Sequence, residues 1–387
     1  MAKQIGRRSP CHCGSGARYK NCCEKKDRGE IPGIRVQKID ESTVSPEVQE
    51  FVRRARAQPA AVTANSVPWV LKDGRRMVAG KACLHARPRE EAFSNFLVHH
   101  LKWTLGRDWF DAQIAKPAAE QDQISVLLRG LYDWQVENMQ HPERRVGRGW
   151  LGPPSGLATA AMTLAYDVYC LERIGALPPR LLNRLKDPLE FQGARYEIAV
   201  AAIFRRAGCG LEWTTPGPGR RCEFIASHED TKERAGVEAK SRRRPGILGH
   251  PGTANPDAPQ RVDVEHLIDD ALAQAPDELI PFVVFIDVNQ PPLPAQHPLD
   301  LPWFPGLPEY LESKSKGTPA DPDSFTAFVV TNYSHHWLGT AKVPDSIEYI
   351  LSLAKFSKRP SLSPQLMGDL LASLQSYGRI PTPWVVE

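Results

Sequence analysis

No apolar run in this 387-residue chain approaches the roughly 20 residues that a membrane-spanning helix needs. The first residues, Met-Ala-Lys-Gln-Ile-Gly-Arg-Arg, have no apolar stretch behind them of the kind a secretory signal carries. Both absences point away from membrane and secretion, and a cytoplasmic location is the expectation. Cysteine is sparse outside one short segment. Cys83, Cys170, Cys209 and Cys222 stand singly among apolar neighbours, so they read as buried thiols rather than as a disulfide framework. Charge of one sign is lacking too, with a net of only +4. What remains is ordinary for a globular chain, 41% hydrophobic and 24% charged, at a length that allows about two or three domains.

The exception to the sparse cysteines is Cys11-His-Cys-Gly-Ser-Gly-Ala-Arg-Tyr-Lys-Asn-Cys22-Cys23. Zinc asks for four tetrahedral ligands, and two close thiolate pairs on either side of a turn can supply them from a segment too short to have its own core. Gly14 and Gly16 let the backbone fold back where a side chain would clash. The pairs are C-x-C and C-C rather than the commoner C-x2-C. The string from 10 to 23 resembles the SEC-C motif found at the C-terminus of the SecA translocation ATPase and as an appendage on many bacterial proteins. That resemblance implies zinc ligands at Cys11, Cys13, Cys22 and Cys23, with His12 standing where the family usually has Pro. Four protein ligands leave no open coordination position, which makes the zinc structural rather than catalytic. The alternative is a reduced cysteine cluster without metal. Residues 1–30 carry eight Lys/Arg against three acids. A basic knuckle suits nucleic acid or an acidic protein face, such as a ribosomal or secretion-related partner; the plainer alternative is an arm kept basic for solubility.

Residues 1–28 are thus expected to be a zinc knuckle with a basic arm, and 29–70 a linker holding one helix over 45–57. From 71 to 185 the texture is helical, with apolar residues at helical spacing over 88–105, 119–140 and 155–175. Cys83-x-His85 and His99-His100 lack partner ligands at sensible spacing and read as structural. Trp103, Trp109, Trp134 and Trp150 read as packing residues, with base stacking as the alternative for any exposed subset.

At about 186 the grammar changes to alternating helix and strand. A helix is expected over 192–207, and its turn of about 100° per residue sets Arg195, Ala202 and Arg206 opposite Glu197, Val200 and Phe204. Glu197 is a carboxylate within an apolar stripe, costly to bury unless paired or metal-bound. Strands are expected over 209–215, 221–227 and 236–241. Period-two alternation puts Glu223 on one face of the second strand and Glu238 with Lys240 on one face of the third, so a hairpin gathers all three. Two carboxylates and a lysine, with the Ala239 carbonyl between, make an oxygen-rich seat for Mg2+.

Glu223…Glu238-Ala-Lys240, with Glu197 upstream, resembles the PD-(D/E)XK nuclease superfamily over about 190–335. The surrounding order supports it: helix, hairpin, E-x-K at the end of an apolar strand, helix over 261–274, strand over 281–288. The resemblance implies catalytic roles for Glu197, Glu223, Glu238 and Lys240, and Mg2+ on Glu223 and Glu238. It departs at the first acid, usually Asp. Arg242, Arg243 and Arg244 leave the site and suggest phosphate contact, with a solvated loop start as the alternative. His250 and Asp257 lie in the Pro/Gly-rich loop beyond, with no assigned role.

Residues 281–288 read as a central strand, while 289–323 hold nine prolines and read as an insertion with one short amphipathic segment over 307–313. A strand over 325–332 closes the domain at about 345, His335-His336 read as surface residues, and two helices are expected within 346–387. The expected fold is therefore multidomain: zinc knuckle, α-helical middle, and an α/β restriction-endonuclease-like C-terminal domain with a mixed sheet. The expected function is a metal-dependent nuclease acting on nucleic acid, DNA or RNA. The alternative is a non-catalytic zinc-containing adaptor on an inactive nuclease-like scaffold.

Overall fold

The computed structural model describes residues 92–117, 120–146, 149–150, 152–215, 221–253, 264–291, 306–314, 317–318, 323–343, 350–354 and 359–380, with 9, 18, 36–37, 69–72, 75–79 and 84–88. Cys11, His12, Cys13, Cys22, Cys23, Cys83, Asp257 and the helix expected over 45–57 lie outside them. The chain forms two compact units, one from Met1–Ala57 with Val67–Glu91 and the other from Gln58–Ser66 with Ala92–Glu387.

In the first unit, strands β1 (Val36–Gln37), β2 (Trp69–Lys72), β3 (Arg75–Ala79) and β4 (Leu84–Pro88) form an antiparallel sheet in the order β1-β4-β3-β2. This corrects the helical reading of the segment from 71. Lys72 pairs with Arg75, so only Asp73-Gly74 separates β2 from β3. Asp-Gly is a favoured two-residue hairpin connection, and the strands it joins outrank the weak helical texture there.

The second unit starts with helices α1 (Phe93–Leu105), α2 (Arg107–Ile114) and α3 (Gln123–Met139). The Asp122 carboxylate caps α3 by accepting from the Ile124 and Ser125 amides. A two-stranded ribbon, β5 (Arg145–Val146) and β6 (Gly149–Trp150), precedes α4 (Gly156–Glu172), which Ser155 caps. Next come α5 (Pro179–Leu185) and α6 (Phe191–Arg206). Helix α6 is buried nearly all round, so the two faces expected from its periodicity are not a core side and a water side. Arg195 donates to the buried Asp287, and Arg206 to Asp167 within a buried pair.

The rest is a six-stranded mixed sheet built from β7 (Cys209–Trp213), β8 (Phe224–His228), β9 (Arg234–Ser241), β10 (Phe282–Asp287), β11 (Ala327–Thr331) and β12 (Ile350–Ala354). Neighbours in the sheet are neighbours in the sequence. β7, β8 and β9 form an antiparallel meander, β10 and β11 run parallel to β9, and β12 returns antiparallel. Helix α7 (Val264–Leu272) makes the crossover from β9 to β10, and α8 (Gly306–Lys314) precedes β11. Every residue of β10 and β11 is buried, as expected of strands covered on both faces. On one face Phe204 of α6 packs against Phe224 and Phe285, and Tyr196 bonds Thr331. The alternate residues Val284, Ile286, Phe328 and Val330 join Val264, Ile268 and Ala271 of α7 in one cluster.

Among its described residues, the segment expected to hold two C-terminal helices holds strand β12 and one helix, α9 (Pro364–Gln375). Ile350-Leu-Ser-Leu-Ala is too short for periodicity to separate strand from helix, and pairing with β11 decides it. Nor does a boundary between compact units fall near 185. Arg206 of α6 is 2.8 Å from Asp167 of α4, and Gly156 packs so close to the His335 carbonyl that a Cβ would collide with it. Among the described residues no helix is long and apolar enough to cross a membrane.

Candidate active site

The antiparallel register of β8 and β9 pairs Phe224 with Val237, and the Glu223 amide donates to the Val237 carbonyl at 2.9 Å. Carried one residue further, it sets Glu223 opposite Glu238, and cross-strand neighbours of this kind share a face. Lys240, two residues beyond Glu238, shares that face as well, and its ammonium is 2.7 Å from Glu238 Oε1. The hairpin therefore brings together the three residues that alternation singled out.

Glu238 is 1% exposed, and its second oxygen, Oε2, has no hydrogen-bond partner among the described residues. Burial pushes the Glu223 carboxyl well above the ordinary range, and the charges of Glu197 and Glu238 push it further, against Lys240 and Arg184. Glu238 is raised for the same first reason, burial, with the Lys240 charge opposing. Burial also works against the charge on Lys240, but Glu238, Glu223 and Glu197 more than offset it and hold the ammonium above its usual range.

Glu197 reaches this cluster from α6, and it is not a bare carboxylate. Arg184 of α5 donates to both of its oxygens, at 2.6 and 2.8 Å. The same guanidinium donates from Nε to Glu190 at 3.2 Å, and the other Glu190 oxygen accepts from Arg243 at 3.3 Å.

The arginine run divides. Arg243 is exposed, Arg242 is half-buried, and Arg244 is buried with its guanidinium over the Trp337 ring, 5.3 Å from its centre. Arg244 is thus not turned out for phosphate contact, because Gln192 grips its backbone: Oε1 accepts from the Arg244 amide and Nε2 donates to its carbonyl. Asn289, at a positive φ of 45°, donates to the Gln192 side chain and to the Arg242 carbonyl, and its Oδ1 accepts from Trp337 and meets His336 Nε2 at 3.0 Å. This corrects the surface reading of His335 and His336. Both are buried, and burial pushes the His335 imidazole down to about 4 and the His336 imidazole well below its ordinary range.

Other singled-out residues are structural or peripheral. His100 is buried 3.0 Å from Glu172, Trp134 donates to the Pro153 carbonyl, and Trp109 lies under the Lys186 ammonium. Trp103 is exposed. Cys170, Cys209 and Cys222 are buried free thiols, the last two raised by burial to about 12 and about 11.

Sequence reasoning passed over Arg184, Glu190, Gln192, Asp287 and Asn289. Asp287 carried a signal like that of Glu197, a carboxylate in an apolar setting, here closing an apolar strand. It is fully buried and accepts from Arg195, Ser241 and the Tyr333 amide. The other four gave none, because each acts through a partner distant in the chain.

An oxygen donor set with a buried unpartnered carboxylate oxygen fits a hard divalent cation, which needs only one or two carboxylates beside water and phosphate. Among the described residues no group of three His, Cys, Asp or Glu side chains stands close enough to hold a metal by itself. Arg184 holds Glu197, and Lys240 holds one oxygen of Glu238. Comparison with protein-family profiles, with curated proteins and with solved structures finds no match for the chain.

Proposed function

We propose that the chain is a Mg2+-dependent nuclease of PD-(D/E)XK type, hydrolysing phosphodiester bonds in nucleic acid, with its N-terminal cysteines forming a structural zinc knuckle that docks nucleic acid or a protein partner. One observation carries the reading: Glu223 opposite Glu238, whose buried Oε2 is unpartnered and whose Oε1 is held by Lys240. The element order agrees with the superfamily core, running from helix α6 through the meander β7-β8-β9 and helix α7 to the parallel strand β10.

Glu223 and Glu238 would hold the metal, which when bound polarises a phosphate and acidifies a water. Lys240 keeps its positive charge beside them and is placed to orient the attacking water or to stabilise charge that develops on the phosphate. Arg243, the exposed member of the arginine run, is the one available to a backbone phosphate.

A second reading, an adaptor on a silent nuclease-like scaffold, draws on the absence among the described residues of a three-ligand metal group and on Glu223 in the usual Asp position. The test is incubation of the full chain with plasmid, single-stranded DNA and RNA in Mg2+, Mn2+ or EDTA. Cleavage of any of these that EDTA stops supports the nuclease. Intact substrates throughout favour the adaptor.

A further inference from the structure

The structure assigns the outward face of helix α3 (Gln123–Met139) a second copy of this chain as its partner, with the two α3 helices running antiparallel. This goes beyond the nuclease reading and does not depend on it.

Helix α3 has two unlike sides. Ile124, Leu127, Leu128 and Leu131 are buried on its inner side, and Gly130 lies so close to Leu157 of α4 that a Cβ would collide with that side chain. The outer side of a surface helix ordinarily carries polar residues. Here it carries Tyr132, Val136 and Met139, which are 63%, 37% and 52% exposed. Spacings of four and three residues set them in one row along the helix, a contiguous apolar strip rather than scattered single residues.

The charges beside the strip decide what fits it. Arg129, Asp133 and Glu137 follow at intervals of four along one edge of the row, and all three are exposed. Among the described residues none of them stands in an ion pair, and Arg129 donates to Gln121 Oε1 at 3.2 Å. The cation lies toward the N-terminal end of the row and the two acids toward its C-terminal end. The strip is therefore complementary to itself when the second copy is turned end for end, whereas a parallel copy would set Arg129 on Arg129 and acid on acid. In an antiparallel pair crossing at Tyr132, the two Tyr132 rings meet on the twofold axis. Arg129 of each copy then comes level with Gln135 of the other, between its Asp133 and Glu137, and Val136 lies about one turn from the other copy's Tyr132. Three apolar side chains are few beside the roughly 20–30 residues a side of a stable interface, so the pair is weak and depends on concentration.

The experiment is analytical ultracentrifugation of the full chain from about 1 to 200 μM, a range suited to a micromolar pair. The samples are wild type, Val136→Glu, Arg129→Glu and Asp133→Lys/Glu137→Lys, each matched to wild type in Tm. The wild type should pass from monomer to dimer within the range, and each variant should dissociate about tenfold more readily or worse. An equimolar mixture of Arg129→Glu with Asp133→Lys/Glu137→Lys should regain the dimer, because every facing charge in the mixed pair is again opposite. Wild type that stays monomeric throughout leaves the strip to some other occupant and overturns the inference. A dimer that the variants leave intact, or a mixture that stays monomeric, overturns it as well.

Discussion

Glu223 and Glu238 hold protons in the folded chain at pH values where the unfolded chain has released them, because burial raises both and the charge of Glu197 adds to each. The sign follows from linkage. The folded state binds more protons, so these two residues make stability fall as pH rises above the ordinary carboxylate range of about 4. A divalent cation can replace those protons, and it competes with fewer of them as pH rises. The rise in Tm on adding Mg2+ should therefore be larger at about pH 8.5 than at about pH 6, and should vanish in Glu223→Gln/Glu238→Gln, as read by thermal melts. A Tm shift independent of pH would disconnect the cation from these carboxylates. Much of this cluster was legible from alternation alone, because Glu223, Glu238 and Lys240 lie on adjoining strands whose faces the sequence dictates. Arg184 was not legible, since nothing local to 184 indicates that it meets Glu197 thirteen positions on.

At the scale of elements, α6 is the pivot. It packs its aromatic side chains on the sheet, while Arg206 reaches Asp167 of α4 and the Ile203 carbonyl accepts from Ser373 of α9. Asp167 accepts from Tyr377 as well, and burial lifts its carboxyl to about 6 against the pull of Arg206. Breaking a buried pair by removing one partner strands the other charge, so Arg206→Met should cost about 3–5 kcal/mol in urea unfolding. Adding Asp167→Leu should recover a large part of it, because no buried charge is then left alone. A single-mutant cost below about 1 kcal/mol would show that the pair does not tie the helices to the sheet. The sheet's central strands were readable as short apolar runs, and α6 as a long periodic one. Strands β2 to β4 were missed because Asp73-Gly74 was not weighed as a hairpin turn, and β12 because its partner, β11, lies about twenty residues upstream.

At the scale of the whole molecule, the cysteine segment, which lies outside the described residues, and the acid cluster make separate claims. Four thiolates on one ion predict about one zinc per chain in freshly purified protein, released by Cys22→Ser, as measured by elemental analysis. Zinc-free fresh protein would favour the reduced-cluster alternative. Domain organisation was the least legible level of all, since the helices from 93 onward look self-contained in sequence yet share one compact unit with the sheet. Periodicity reports which face of an element is apolar, not which distant element covers it. The nuclease claim itself meets its most direct test in the initial rate of nucleic-acid cleavage in Mg2+ by wild type and Lys240→Ala, matched for Tm. Removal of a charge-stabilising donor predicts a loss on the order of 10²-fold or more, with EDTA abolishing the wild-type rate. Cleavage that persists undiminished in Lys240→Ala and in EDTA would contradict the account.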